Sequence, residues 1–459
     1  MTDKAWVQSY PQGVPTEVRL DRYGSVRDIF EEACRKFSAK TAFSNGGVSL
    51  TYERIEGLSR DFAAYLQALS RMRKGDRVAL MMPNVLQYPI ALVAAIRAGF
   101  VVVNVNPQST PSELEYQLRD AGVKAIVVHE EVAHTLSQII QNTPVEHLVV
   151  TSHGDMHGFF RRKVLNFLVR RVKKQVPDFT LARSVGFRQA LLEGRQKEFR
   201  KASLTQDDLA FLQYTAGITG VAKGVMLTHG NMVANLQQVS AWLSQDLDEG
   251  KELVVTALPM HHVVSLTLNV LLFVKAGGHC VLITDPTDTK GFIKTMASIP
   301  FTVLTGVNGV LKQLSGDSGL EKVRFARTKF VLSGLEATEP LLVEHWKKMT
   351  GTRILNAYGL TEASPVVCVT PLQTESTSSS VGLPLSSTLV SIRDDSLNAL
   401  PAGQEGELWV KGPQVMRGYW NKPRETDAVL TRDGWLRTGD LGHMDSKGSF
   451  YITGRKHLV

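Results

Sequence analysis

Cysteine is scarce and scattered, with three residues (Cys34, Cys280 and Cys368) in a chain of 459. That excludes a disulfide framework and a zinc cluster built on cysteine, and it fits a reducing, cytoplasmic setting. Residues 1–11 contain no apolar stretch of the kind a secretory signal needs. Long hydrophobic runs are missing too: residues 85–98 and 263–274 are the most apolar, and both are too short or are interrupted by Arg97 or Lys275 to span a bilayer. Neither glycine (37) nor proline (18) dominates, and 43% hydrophobic with 21% charged residues is ordinary. This excludes a disordered tail, a collagen-like rod and a coiled coil. What remains is a globular chain with a length of about three domain-sized units, large enough to need no covalent or metal staple.

The formal charge is +8, but it is not spread evenly. Residues 161–201 hold thirteen Lys/Arg and three Asp/Glu, a net of +10, so the rest of the chain is close to neutral. Within this segment, residues 159–176 plot as a helix whose apolar side chains fill an arc of roughly 200° at 100° per residue. Five of its seven basic residues lie in the remaining arc, while Arg161 and Arg171 intrude on the apolar side. Two readings stand: a solvated helix packed on its own domain, or an interfacial helix on anionic lipid. Nucleic acid is not expected as a partner, because aromatic residues do not interleave with the charges.

From Asp76 the pattern alternates between short apolar runs and helix-length segments. Strands are expected at 78–82, 100–105 and 124–128, with a helix at 85–98 and another opened by Thr110-Pro111-Ser112-Glu113, which has the capping-box form with proline at the first helical position. The alternation returns with strands at 253–257, 280–284, 302–306, 330–333 and 353–357. After about Val366 the texture changes to short β-prone runs punctuated by Gly, Pro and Ser. The fold expected is α/β: two doubly wound, mainly parallel units, at about 20–210 and 211–365, plus a small β-barrel-like unit at 366–455.

The strongest local signal for chemistry is the run from Tyr214 to Gly224. A strand at 209–213 enters a turn containing Thr215, Gly217, Thr219, Gly220 and Lys223. Glycines let backbone N–H groups curl round an anion, threonines add hydroxyl donors, and lysine adds charge. It is not a Walker loop: the residue five after Gly217 is Ala222, and 225–228 reads as a strand where a Walker loop would open a helix. Taken alone, the run could be a flexible hairpin loop. Two further motifs strengthen the phosphate reading. Tyr358-Gly359-Leu360-Thr361-Glu362 follows a strand and sets a ring, a hydroxyl and a carboxylate where open α/β sheets bind ligands. Thr438-Gly439-Asp440 places in a turn a carboxylate able to accept two hydrogen bonds from a ribose diol.

These motifs, in this order and spacing, resemble the adenylate-forming superfamily of acyl-CoA synthetases, peptide-synthetase adenylation domains and luciferases. The segments Lys74–Asn84, Asn104-Val105-Asn106-Pro107 and Lys411–Met416 are most similar to bacterial long-chain fatty acid–CoA ligases. The resemblance implies an ATP-dependent reaction in which a fatty acid carboxylate becomes an acyl-adenylate and then an acyl-CoA, with Mg²⁺ as cofactor and ATP and CoA as co-substrates. It implies that Thr215, Gly217, Thr219, Gly220 and Lys223 cradle phosphates. Tyr358 would stack on adenine, with Gly334 in the adenine wall and Gly359 among the ATP-binding residues, and Thr361 would bond the α-phosphate. Glu362 would hold Mg²⁺, Asp440 the ribose, Arg455 ribose or phosphate, and His262 the acyl side. Catalytic work is expected of Thr361, Glu362 and His262. Relatives are often dimers, so a homodimer is a further expectation, as is a peripheral site on the inner face of the membrane.

Some positions depart from the family pattern. Ile218 stands where Ser or Thr is usual, Leu335 and Glu336 where small residues are usual, His261 where an aromatic is usual, and Ser109 where close relatives have Tyr. In the family, a hinge follows the Gly-Arg-x-Lys motif and leads to a smaller C-terminal domain. Here residues 456–459 would start the hinge, and the expectation is of a chain lacking that domain and impaired in activity.

Overall fold

The computed structural model describes residues 4–215, 221–334, 338–372 and 380–456. Two large sheets and one small one organise it. The first has eight strands in the order Gly418–Tyr419, Lys223–Thr228, Leu209–Thr215, Val101–Asn104, Arg77–Met81, Val123–His129, His147–Thr151 and Val185–Gly186. The six from Leu209–Thr215 onward run parallel, and the first two are antiparallel additions at one edge. The second has nine strands, from Leu383–Pro384 and Val366–Val369 at one edge to Thr41–Asn45 and Val48–Thr51 at the other. Its six central strands are parallel.

Strand burial explains why the parallel runs read as continuous apolar stretches. Val78 and Leu80 point into one hydrophobic cluster, while their neighbours Ala79 and Met81 point into another. In the second sheet Val254 joins the same shared cluster as Val78, and Val255 points to a third. Each large sheet is thus buried on both faces, as parallel sheets are, and one core lies between the two. The helices Gln87–Arg97 and His229–Trp242 contribute to that shared core. The helix Pro111–Asp120 begins as its sequence requires: the Thr110 hydroxyl accepts from the Glu113 N–H at 3.3 Å, and the Glu113 carboxylate accepts from the Thr110 N–H at 2.8 Å.

Three expectations change. The division at residue 210 differs from the strand pairing: Thr41–Thr51 joins the second sheet by pairing with His279–Leu282, and Leu209–Thr228 joins the first. Backbone pairing between distant segments leaves no local trace, so a linear cut could not find it. The β-rich region is not a barrel. Leu389–Arg393, Gly406–Lys411, Leu436–Met444 and Phe450–Arg455 form an open antiparallel sheet, whose two edge strands do not pair with each other among the described residues. Closure would need a tilt and stagger that four short strands do not supply. Finally, the basic helix runs over Phe159–Phe167 and continues as a wider turn to Val172, so it stops short of residue 176. Among the described residues, no helix is long and apolar enough to cross a membrane, and all three cysteines are buried and unpaired.

Candidate functional site

Of the sequence-predicted residues, Thr215 stands at the carboxyl end of a strand of the first sheet and Gly334, Tyr358 and Gly359 at the carboxyl ends of strands of the second, where open α/β sheets bind ligands. Leu209–Thr215 and Lys223–Thr228 form a hairpin in which Thr215 lies opposite Lys223. Gly217, Thr219 and Gly220, together with Ile218, come between these two strands in the sequence and lie outside the described residues. Leu335 and Glu336, next to Gly334, lie outside them too. From the second sheet come Gly334, after Phe330–Ser333, and Tyr358 and Gly359, at the end of Ile354–Gly359. Thr361 and Glu362 follow in a short 3-10 turn. Gly359 has a strict packing reason: a Cβ there would collide with the carbonyl oxygen of Pro365.

Two side-chain groupings flank this Tyr358–Glu362 segment. On one side the Tyr358 hydroxyl donates to Oδ2 of Asp440 at 2.6 Å, and Arg455 stands 3.7 Å from the other carboxylate oxygen. Asp440 and Arg455 face each other across neighbouring strands of the small sheet. The expected turn at Thr438–Asp440 is instead part of the strand Leu436–Met444, whose pairing with Gly406–Lys411 shifts register there, and Gly439 takes a φ of 73°, in the left-handed region that glycine tolerates. Burial pushes the Asp440 carboxyl above the usual aspartate range, while Tyr358 and Arg455 pull it back. The same burial, then Asp440, holds the Tyr358 phenol well above its ordinary range.

On the other side the Tyr419 hydroxyl donates to Oε1 of Glu362 at 2.8 Å, and Nζ of Lys223 lies 5.1 Å from the centroid of the Tyr419 ring. Tyr419 is held in place because Gly418–Tyr419 pairs with Met226 and Val225, and the Trp420 N–H donates to the Gly224 carbonyl at 2.7 Å. Burial, then Glu362, raises the Tyr419 phenol. Tyr419 was missed in the sequence; its signal is the aromatic pair that follows Gly418, soon after the Lys411–Met416 motif. A second missed contact braces the Leu209–Thr228 hairpin: the Tyr214 hydroxyl donates to Asp120 at 2.5 Å.

His262 sits apart from both groupings. It caps the helical segment starting at Val263, its Nδ1 accepting from the Val264 N–H at 3.3 Å. Gly334 brings that segment close to the strand ends, since a Cβ on Gly334 would come within 3.1 Å of Val264. The His261 carbonyl accepts from Gln213, tying this loop to the Leu209–Thr228 hairpin, while its buried Nδ1 has no partner among the described residues. Burial lowers the pKa of His261 to about 4 and that of His262 in the same direction.

Chemically, the arrangement offers one lysine opposite Thr215, one carboxylate held by Tyr419, and a second carboxylate with a tyrosine and an arginine beside it. A Glu362 carboxylate oriented by a single phenol is the kind of oxygen donor that Mg²⁺ takes when phosphates and water supply the rest of its shell.

The family described as AMP-binding enzyme matches residues 30–420. The chain is 47% identical over 453 residues to a long-chain-fatty-acid–CoA ligase of Escherichia coli O6:H1, a match that covers 99% of this chain and 81% of that one. It is 36% identical to a protein of the same description from Bacillus subtilis, covering 99% and 80%. Among solved structures, a long-chain-fatty-acid–CoA ligase from Archaeoglobus fulgidus superposes with a TM-score of 0.81 at 24% identity, covering 97% of this chain and 87% of that one. An anthranilate–CoA ligase holding anthranoyl-AMP gives the same TM-score at 20% identity, covering 94% and 78%. These two share the fold.

Proposed function

The chain belongs to the family of AMP-binding enzymes, and from that premise we propose that it is an AMP-forming long-chain fatty acid–CoA ligase. A fatty acid carboxylate oxygen attacks the α-phosphorus of ATP and pyrophosphate leaves. The CoA thiol then attacks the acyl carbonyl and AMP leaves. The observation that carries this reading is the meeting of the Tyr358–Asp440–Arg455 and Lys223–Tyr419–Glu362 groupings on either side of one five-residue segment, in a chain 47% identical to a ligase of that description.

In this reading Asp440 accepts the ribose hydroxyls, Tyr358 and Gly359 bound the adenine with Gly334, and Arg455 reaches ribose or phosphate. Thr215, Gly217, Thr219, Gly220 and Lys223 hold the leaving pyrophosphate, and Thr361 bonds the α-phosphate. His262 lines the acyl side. Glu362, oriented by Tyr419, is the residue to hold Mg²⁺, which when bound would neutralise phosphate charge. Phosphoryl chemistry of this kind depends mostly on positioning and charge, which is what the chain's own donors supply.

Pyrophosphate release in the presence of ATP, Mg²⁺ and a panel of fatty acids tests the reading. Release that depends on long-chain acids is expected. Nucleotide binding with no release across the panel would instead assign a non-catalytic nucleotide-binding role, and release with another acid alone would change the substrate.

A second observation concerns where the enzyme works. In the helix 159–172 only Val169 is buried, whereas Phe159, Phe160, Phe167 and Val172 are 65%, 78%, 61% and 62% exposed. Its packed side is fixed by polar bonds: Asn166 accepts from the Gly154 N–H and donates to Ser152, and Arg170 donates to Glu130. The outward side interleaves apolar residues with Arg161 and Arg171, which suits an anionic bilayer surface better than water. Binding to anionic vesicles that weakens with salt is the expected result; no binding at low salt rejects it.

A further inference from the structure

A separate cluster stands on the same carboxyl-end edge of the first sheet, three strands from the Leu209–Thr228 hairpin, or roughly 14 Å at the usual strand spacing. His129 ends the strand Val123–His129, Glu131 follows it, and His153 follows the neighbouring strand His147–Thr151. None of the three belongs to the motifs assigned to nucleotide or acyl chain.

Each residue can present one ligand atom so that all three lie within 4.8 Å of one another. Nε2 of His153 is 2.8 Å from Oε1 of Glu131, and Nδ1 of His129 is 3.5 Å from Oε2 of the same carboxylate. The first is a hydrogen bond and the second is too long for one. Ligand atoms around a tetrahedral zinc ion, each about 2.0–2.1 Å from the metal, sit about 3.4 Å apart. The two histidine–carboxylate distances, 2.8 and 3.5 Å, lie within about 0.6 Å of that spacing, and the widest separation in the trio, at most 4.8 Å, would close by about 1.4 Å on side-chain rotation.

His129 adds a second, independent observation. It is fully buried, its Nδ1 receives only a 3.4 Å contact from the Glu131 N–H, and its Nε2 has no partner among the described residues. The nitrogen that faces the Glu131 carboxylate is Nδ1, and with no contact shorter than 3.4 Å among the described residues its lone pair is open to an ion. His153 and Glu131 keep part of their surface in solvent, so an ion could enter and water could complete its shell.

We infer that His129, Glu131 and His153 form a binding site for a first-row transition-metal ion, with zinc the best match. Two imidazoles and one carboxylate are a borderline donor set that zinc favours, whereas magnesium and calcium prefer all-oxygen shells. The ion would clip the ends of two adjacent strands directly beneath the basic helix. That floor is the one the helix stands on, because Glu130, next to two of the ligands, holds Arg170, and the turn starting at His153 is bonded to Asn166.

The test is zinc titration of the full chain, purified without a histidine tag, by calorimetry and elemental analysis, with cobalt substitution read in the visible spectrum. One equivalent of zinc and cobalt bands characteristic of nitrogen and oxygen ligands are expected. His153→Asn and Glu131→Gln, both at partly exposed positions, should each weaken zinc binding at least about tenfold, the scale already reached when an outer-shell partner of a metal ligand is lost. Melting curves should show that these variants remain folded and that zinc stabilises only the parent chain. No stoichiometric zinc, or an affinity left unchanged by both substitutions, would overturn the assignment.

Discussion

The strand-end site and the helix 159–172 treat the same residue types in opposite ways. At the strand ends charged groups are drawn in and matched: Asp440 with Tyr358 and Arg455, Glu362 with Tyr419. On the helix the phenylalanines are turned out, and of its charges Arg170 reaches inward to Glu130 while Arg161 and Arg171 stay exposed. The difference matches the two proposed roles, phosphate chemistry at the strand ends and lipid contact on the helix. A pocket that must stabilise developing phosphate charge gains from fixed polar partners in a dry setting, while a surface that meets lipid gains from apolar area it leaves uncovered.

The contrast can be broken at several points. Lys223→Ala and Glu362→Ala should each lower fatty-acid-dependent pyrophosphate release by about 10²–10³-fold while leaving vesicle binding intact; activity within twofold of the parent would remove these residues from the site. The reverse pattern is expected of Phe160→Asp with Phe167→Asp. Taking two phenylalanines from a lipid interface should cost on the order of 10–100-fold in vesicle affinity, with pyrophosphate release from a soluble medium-chain acid preserved. Loss of both properties together would mean the helix supports the fold instead.

Smaller changes sharpen the nucleotide side. Asp440→Asn should raise the KM for ATP by about tenfold, since hydrogen bonds to a charged group are worth about 1.5–3 kcal/mol. Burial raises the Asp440 carboxyl, so on acidification the parent should lose ATP affinity at a higher pH than an ordinary aspartate would dictate, and Asp440→Asn should flatten that limb. Tyr419→Phe removes one neutral donor from Glu362 and should cost about two- to tenfold in pyrophosphate release, an effect lying between none and that of Glu362→Ala.

A last comparison concerns stability and not activity. His229 is buried, its Nδ1 accepts from the Val26 N–H at 3.3 Å, and burial lowers its pKa to about 4. The unfolded chain takes up this proton near the ordinary imidazole value of about 6.5 and the folded chain does not, so stability should fall as pH drops from about 6.5 toward 4. Melting temperatures across that range should decline less steeply in His229→Gln; an identical slope would trace the decline to other groups.

Much of this was readable along the chain, for reasons that are local. The capping box at Thr110 is four residues long and folded as written. Runs such as 78–82 and 330–333 are apolar on both faces because both faces are covered. The Tyr358–Glu362 and Thr438–Asp440 motifs could be found because each is a run of adjacent residues, although Thr438–Asp440, expected in a turn, lies inside the strand Leu436–Met444. The unread parts are joined across the sequence: Tyr419 meets Glu362 at a separation of 57 residues and Asp120 meets Tyr214 at 94, and no periodicity reports such a pairing. The outward face of the basic helix was also beyond the helical wheel. The wheel gives the width of an apolar stripe but not its direction, which is set by Asn166 and Arg170 finding partners underneath.

The interleaving of the sheets bears on how the protein is made. The hairpin Thr41–Thr51 has its place only beside His279–Leu282, and the edge of the first sheet is completed only by Gly418–Tyr419. A ribosome adds about 5–20 residues per second, so the early hairpin waits on the order of ten seconds or more for its neighbour. Nascent chains halted before residue 279 should therefore expose that hairpin to proteolysis, and the assembled two-sheet core should be a late event of synthesis.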